Sequence, residues 1–567
     1  MKTSLTRTQW VLIAVLTVAA APYFVRLGAS SLWDSNEAFY AETPREMIES
    51  SDFLNPTFNY RPRLNKPPLS YWIVAPFYKL LGISEANERL PIVLAAMMMI
   101  ATAYGLGRVI FSVDAGLLAA IGLALSPRFL MFSRRIMIDV YLAAFMGLAL
   151  LMFILAERRP DRRRLWLMLM YVAIGLGVIT KGPVAVVLPS AALMVYVVIF
   201  RRLATIREMM VPLGLLIVAA IVLPWYLAIY SQHGWGHIQN FILRDNLSRY
   251  TEEVWGPRRG FFFYFPAVIG DFFPSSLFMI PVAWYGIRRL WLDFRDKTQS
   301  SDVKSSDWNG SVMLGIWIIV IVAFFSISKS KEDLYILPIY PAAAALVGGL
   351  LARLIRNPAD RPPSILRVTV LALAVCLGAA GSIILLFFGN GTQPYEIAGA
   401  NLIGCAAIVG GLSAAIAAVL NRMPSAILAT ALGVAACNWV FVVRSLPDFE
   451  RFKPVRPLSE IIASEAGPDA LVGYYRTAYP SMVFYLRRPI FEYYHQPEIE
   501  AAFSSGKEVF CLMTETEFES LRMRVPAQTR VLASHPIFQV KLNGILNRVE
   551  LPRVVLITNK GETNVAR

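Results

Sequence analysis

The sequence predicts an all-α membrane protein of many spans that ends in a small polar α/β domain, and three observations carry the prediction. Of 567 residues, 56% are apolar and only 16% charged, where soluble chains carry about 25% charged residues. About thirteen segments are apolar enough to read as crossings of a bilayer core, which takes about 20 residues. Beyond Arg444 the long apolar runs stop and short strand-like segments begin.

In order, the expected span cores are 9–25, 89–110, 112–127, 137–156, 165–180, 183–200, 209–230, 268–287, 311–328, 335–352, 366–388, 396–420 and 424–442, some short or interrupted. The 54 Lys and Arg against 39 Asp and Glu give a net charge of +15. In a soluble chain that excess would suggest nucleic acid, but here it falls in links between spans and sets orientation. Lys2, Arg7, the run Arg158, Arg159, Arg162, Arg163 and Arg164, then Arg201, Arg202 and Arg207 share one side. Arg288, Arg289, Arg295, Lys297, Lys304, Arg353, Arg356, Arg361, Arg367 and Arg422 return to it, so that side is expected to be cytoplasmic. The division is then a transmembrane domain, residues 1–443, with a first external loop at 26–88, and an external α/β domain at 444–567. In that domain Ala470–Tyr474 and Glu508–Met513 read as strands and Thr514–Met523 as a helix. Leu69–Leu81, aromatic-rich and interrupted by Pro76, reads as a helix lying in the membrane interface. A signal peptide ending near Ala19–Ala21 is the competing reading of the N-terminus.

Four cysteines, three of them in apolar runs, cannot build a disulfide framework. No phosphate loop or dinucleotide fingerprint occurs, which argues against a nucleotide-driven engine. Most spans carry no charge, which argues against an ion-coupled transporter. Polar residues gather instead on the outer loops. The densest group is Leu32-Trp33-Asp34-Ser35-Asn36-Glu37-Ala38-Phe39-Tyr40-Ala41-Glu42-Thr43-Pro44-Arg45-Glu46-Met47. Carboxylates there can orient an acceptor or take its proton. The structural alternative is a capping box on Asp34 and Glu37 and a second helix start at Thr43-Pro44-Glu46. Downstream, Lys66 stands before Pro67 and Pro68 in RPRLNKPPLSYW. It can present a fixed cation to a phosphate, or simply snorkel to head groups.

The pairing of LWDSNEAFYAETPREM with KPPLSYW resembles the bacterial membrane glycosyltransferases of the aminoarabinose transferase (ArnT) and protein O-mannosyltransferase superfamily. The resemblance continues through Arg135 and Asp139 in SRRIMIDVYLAAF, Thr180-Lys181-Gly182-Pro183, Asn240–Tyr250 with Asn246 and Arg249, and SKSKEDLYILPIYP at Ser328–Pro341. It implies the GT-C fold and an inverting transfer of one sugar from polyprenyl (undecaprenyl) phosphate to a lipid A, other glycolipid or glycan acceptor on the periplasmic face of the inner membrane. Lys66, Lys331, Arg249 and Tyr335 are the implied phosphate ligands, and Glu37, Asp139 and Asp34 the candidate carboxylates. Asn36 stands where the family usually has the catalytic Asp, so the base has moved or is not needed, as with an already ionised phosphate acceptor. Asn65 replaces a Glu of aminoarabinose transferases, which weakens the claim to that sugar. No cofactor is expected, the sequence lends no support to a divalent metal, and the partners expected are the lipid-linked donor, the acceptor and membrane lipids, with no nucleic acid.

His233 and His237 have a spacing that can hold a metal on one helix face, but Gly234, Gly236 and the lack of a third ligand favour an interfacial loop anchored by Trp235. Asp271 either lines a cavity or caps a helix. Gly473–Pro480, with its tyrosines and Arg476, has two readings, contact with sugar or acceptor and docking of the domain on the membrane portion, of which docking is favoured. Two rival readings remain: a lipid-linked sugar translocase, and a noncatalytic envelope assembly protein that has kept the fold and lost the base.

Overall fold

A computed structural model describes residues 5–202, 204–252, 259–295, 306–356, 364–526, 528–539 and 541–561. Lys2, Lys297, Lys304 and Arg361 lie outside them, as do the side chains of Asn246, Arg249, Arg295 and Arg356. Among the described residues, 9 helices are long and apolar enough to cross a membrane, or up to 11 if each of two sharply bent pairs counts as one span. The bent pairs, Val113–Ala124 with Pro127–Ser133 and Phe261–Asp271 with Ser275–Arg289, sit where 112–127 and 268–287 were expected to be single spans. Their breaks, 71° and 113°, fall at Ser126-Pro127 and at Phe273-Pro274, where proline removes a helix hydrogen bond. Val184–Ile199 is a shorter apolar helix, and the expected first span is Arg7–Ala20 followed by a single 3-10 turn, Ala21–Tyr23.

Helices begin where small hydroxyl side chains precede apolar runs. Thr6, Ser84, Ser112 and Ser126 each accept a hydrogen bond from a first-turn amide of the helix that follows, which satisfies a donor the helix cannot. The span Ile138–Arg158 carries Asp139 in its first turn and Arg158 in its last. Both charges suit the helix dipole, and 21 residues put them at opposite faces of the bilayer. At the Arg158 end the basic links are tied into ion pairs: Arg158 with Asp307 (3.2 Å), Arg163 with Glu208 (3.0 Å) and Arg202 with Glu157 (3.2 Å).

The first loop departs from the expected helix pattern. Asn36–Ser50 is one continuous helix with Pro44 inside it, so no second helix starts at Thr43. Tertiary packing overrides the local signal: the helix lies against Leu69–Leu81, with the Tyr40 and Tyr71 rings stacked 5.8 Å apart. The capping box also fails to form, because Ser35 is the N-cap and its side chain makes no capping bond. Leu69–Leu81 itself is the expected helix, with Leu80 and Leu81 exposed at its end. A short hairpin, β1 (Thr57–Phe58) and β2 (Arg61–Pro62), joins the two helices.

The tail carries five further strands: β3 (Leu471–Tyr475), β4 (Phe491–Tyr493), β5 (Val509–Thr514), β6 (Arg530–Pro536) and β7 (Arg553–Thr558). They form one sheet in the order β4-β3-β5-β7-β6, in which β3 pairs in parallel with β4 and β5, and β7 antiparallel with β5 and β6. The buried runs of β5 and β7 make its middle, with a helix, Glu515–Leu521, directly after β5. Gly473 leaves room for the neighbouring strand, since a Cβ there would lie 2.1 Å from the Phe491 carbonyl oxygen. Gly473→Ala is therefore expected to loosen the β3–β4 edge by about 1–3 kcal/mol, seen as faster limited proteolysis of the tail.

Candidate active site

Three helix ends meet at the face opposite the basic links. Arg163–Lys181 stops there because Gly182 takes φ +106°, a conformation that suits glycine, and Pro183 follows. That turn leaves Lys181 as the last helical residue, where its charge complements the helix C-terminus. Its Nζ forms an ion pair with Asp139 Oδ1 and stands 4.7 Å from the centre of the Tyr335 ring. Tyr335 in turn packs on Phe325, ring centres 5.0 Å apart.

Around this group lie further charges. Lys331 is buried and its Nζ donates to the Ser328 carbonyl, while its own carbonyl accepts from Arg259 at 2.8 Å. Asp333 pairs with Arg128 (2.9 Å) and Arg259 (3.2 Å). Asp271 joins Arg128 at 3.3 Å, and its carbonyl accepts the Ser126 hydroxyl at 2.7 Å, so Asp271 ties two broken spans together and caps no helix. Lys66 is buried, its Nζ 5.9 Å from the centre of the Phe241 ring. On either side of it Leu64, Leu69 and Trp72 pack with Ile179, Trp225 and Ile229, which brings the loop of Lys66 against the last turn before Lys181. The Arg249 side chain lies outside the described residues.

A second cluster forms around the start of the first loop. Glu37 is fully buried: Oε1 accepts from Arg89 Nε at 2.8 Å, and Oε2 from Arg89 at 3.1 Å and from the Trp33 amide at 2.7 Å. Burial alone would raise the Glu37 carboxyl, but the charge and hydrogen bonds of Arg89 outweigh it and hold the group below the usual range. Arg89 also donates to the carbonyls of Leu27 (2.8 Å), Ser30 (2.6 Å) and Ser31 (3.0 Å). Lys453, just past the last span, reaches back to the Ser30 hydroxyl and the Ser31 carbonyl, both at 2.6 Å. Its Nζ lies 3.8 Å from the centre of the Trp33 ring, and Arg135 lies 4.9 Å from the same ring. Burial pulls the Lys453 ammonium down to about 7. Asn36, next to Glu37, is exposed.

Asp34 points to the tail, accepting from the Ser481 amide at 2.8 Å and its hydroxyl at 2.5 Å. Burial raises its pKa from 3.8 to about 7, although the bonds from Ser481 oppose the shift. The fold thus favours the protonated carboxyl. The stability it contributes is complete below its unfolded value near 3.8 and is lost as pH rises through about 7. Melting of the purified protein is accordingly expected to fall more steeply between those pH values than melting of Asp34→Asn, and parallel curves would refute this.

His233 Nε2 donates to Asn55 Oδ1 at 2.7 Å, and its ring lies 5.3 Å from the His237 ring. Among the described residues no cluster of three or more His, Cys, Asp or Glu side chains forms a metal site. The sequence singled out Lys181 only as part of a turn, and it left out Arg89 and Lys453. A charge at the rim of an apolar core, as at Arg89, was the available signal.

A helical bundle of this kind, with its polar groups gathered at the outer ends of spans and a small mixed-sheet domain in the tail, defines a multi-pass membrane protein. A family profile described as "Dolichyl-phosphate-mannose-protein mannosyltransferase" matches residues 65–227. An uncharacterized protein of Aquifex aeolicus is 31% identical over 60% of this chain and 63% of its own length. The "Undecaprenyl phosphate-alpha-4-amino-4-deoxy-L-arabinose arabinosyl transferase" of Edwardsiella ictaluri is 28% identical over 70% of this chain and 68% of its own. The crystal structure of ArnT from Cupriavidus metallidurans bound to undecaprenyl phosphate superposes with a TM-score of 0.76 at 22% identity, covering 99% of this chain and 100% of that one. The chain thus has the fold of ArnT, and its sequence is similar to aminoarabinose transferases and, over residues 65–227, to the mannosyltransferase profile. The first of these relatives is matched over somewhat less than two thirds of its length.

Proposed function

We propose that the chain is an inverting glycosyltransferase that moves one sugar from a polyprenyl phosphate to an envelope acceptor such as lipid A, another glycolipid or a glycan. The observation that carries this reading is the Lys181 ammonium, fixed between the Asp139 carboxylate and the Tyr335 ring at the end of three helices. The name of the Edwardsiella relative supports the donor class. An acceptor oxygen attacks the anomeric carbon while the bond to the lipid phosphate breaks, and the phosphate leaves with the electron pair. Negative charge grows on that phosphate, so cations fixed beforehand stabilise the transition state more than the ground state. Lys66, Lys181 and Lys331 take this role, with Tyr335 and Arg249 as further phosphate ligands. Asp139 orients Lys181 and is the carboxylate nearest the reacting groups. Glu37 acts as a positioning residue, since its oxygens are engaged by Arg89 and backbone amides. With Asn36 in the expected base position, an anionic acceptor oxygen suits the site. The Arg158 end of the spans faces the cytoplasm by the positive-inside rule, which sets the site and the domain at 444–567 on the periplasmic side.

Mass spectrometry of envelope lipids from a deletion strain and its complemented parent tests the reading. A polyprenyl-phosphate sugar should accumulate while one glycolipid or glycan loses the same sugar. If neither pool changes while the protein is made, the transferase reading fails.

A further inference from the structure

We infer that the cleft between the first loop and the tail domain holds one pyranose ring of the acceptor during transfer, an inference that rests on the transferase reading. The cleft, open to solvent and about 230 Å³ in volume, is lined by Trp33 and Asp34 from the first loop and by Phe449, Phe452, Lys453, Tyr479 and Phe538 from the tail. That volume equals roughly eight waters at ~30 Å³ each, below the roughly 300–1,000 Å³ of a drug-sized pocket. It accommodates one sugar ring.

The wall has the chemistry of a carbohydrate site. Phe538 packs against Phe449 (5.3 Å between centres) and Phe452 (5.0 Å), so an aromatic surface is held rigid by its own contacts. Such electron-rich faces take the C–H face of a pyranose. Asp34 and Lys453 are the charged residues of the wall. Each keeps hydrogen-bonding capacity in hand. Ser481 supplies one bond to each oxygen of the Asp34 carboxyl, whose remaining capacity is open to a ligand, and Ser30 and Ser31 take two of the three Lys453 donors. A sugar hydroxyl bridging the two would accept from the amine and hydrogen-bond to the Asp34 carboxyl.

The position assigns the ring to the acceptor. None of Lys66, Lys181, Lys331 or Tyr335 lines the cleft, so it stands apart from the cations that would hold the donor phosphate. Its Trp33 wall nevertheless leads toward Asp139, because Arg135 lies over Trp33 and the Ile136 amide donates to Glu37 at 3.4 Å, three residues ahead of Asp139.

The test uses the purified full chain in detergent, with wild type, Tyr479→Ala, Phe538→Ala and Phe538→Leu. The last variant keeps apolar bulk and guards against simple misfolding. A panel of neutral, amino and acidic methyl pyranosides is added at concentrations that detect ~mM affinity. At least one sugar should raise the melting temperature of wild type, and the shift should vanish in all three variants. In a transfer assay with total envelope lipid as acceptor, half-saturation by the lipid should rise roughly tenfold in the variants while that for the donor stays put. No binding by wild type, or unchanged binding in the variants, overturns the subsite. A rise for the donor instead overturns its assignment to the acceptor. Sugar binding without transfer by wild type sinks the transferase reading and leaves a pyranose site. Transfer without binding does the reverse.

Discussion

Lys181→Ala is expected to lower sugar transfer by roughly 10²–10³-fold, about 2.7–4 kcal/mol of transition-state stabilisation. The amine is held by the Asp139 carboxylate and the Tyr335 ring before any substrate arrives, so little reorganisation is needed as charge develops on the leaving phosphate. Removing it deletes a cation that acts chiefly in the transition state, and the loss belongs in kcat rather than in donor affinity. Lys181→Arg should restore part of the rate, because the charge returns with a different shape. Lys66→Ala is expected to behave in the same way, with a larger share of the loss in donor binding, since Lys66 comes from the loop and not from a helix end. The measurement is initial rate against donor concentration in membranes with matched protein levels. A rate within twofold of wild type for both alanine variants would remove the phosphate-cation assignment.

The second large effect is on folding. Arg89→Ala is expected to destabilise the protein by about 3–5 kcal/mol, the cost of leaving one partner of a buried ion pair alone. That is a large part of the 5–15 kcal/mol that holds an ordinary domain together. The reason is local. Arg89 satisfies the Glu37 carboxylate and the carbonyls of Leu27, Ser30 and Ser31 at once, so its loss leaves buried acceptors unpaired across the whole entry to the first loop. Adding Glu37→Gln should recover part of the stability by removing the buried charge. Steady-state abundance and detergent melting report the effect. An Arg89→Ala protein that accumulates and melts like wild type would show that the cluster is not a structural clamp.

Much of the bundle was legible because apolar runs of bilayer length need only be counted. The helix at Leu69–Leu81 and the strands near Leu471 and Val509 were also readable from local pattern. Pro44 shows the limit: its neighbours signal a helix start, yet packing against Leu69–Leu81 carries one helix through it. Asp34 and Glu37 show it again. Three residues apart, they match a capping box, but one turns to Ser481, 447 positions away, and the other to Arg89. Local spacing cannot foresee such partners, because a buried carboxylate takes whatever strong donor the fold brings nearest.

By itself the sequence determined that this chain lives in a membrane, where its basic links fall, and which motifs carry charge, since each of these follows from composition and short-range pattern. Only the tertiary structure decided that Lys181 rather than a backbone group meets Asp139, that Glu37 is sealed by Arg89, and that Lys453 closes over Trp33. The physical reason is desolvation. An ion pair between exposed groups contributes little, whereas burial makes each charge demand a partner, and which partner answers depends on helices that meet only when the chain is packed.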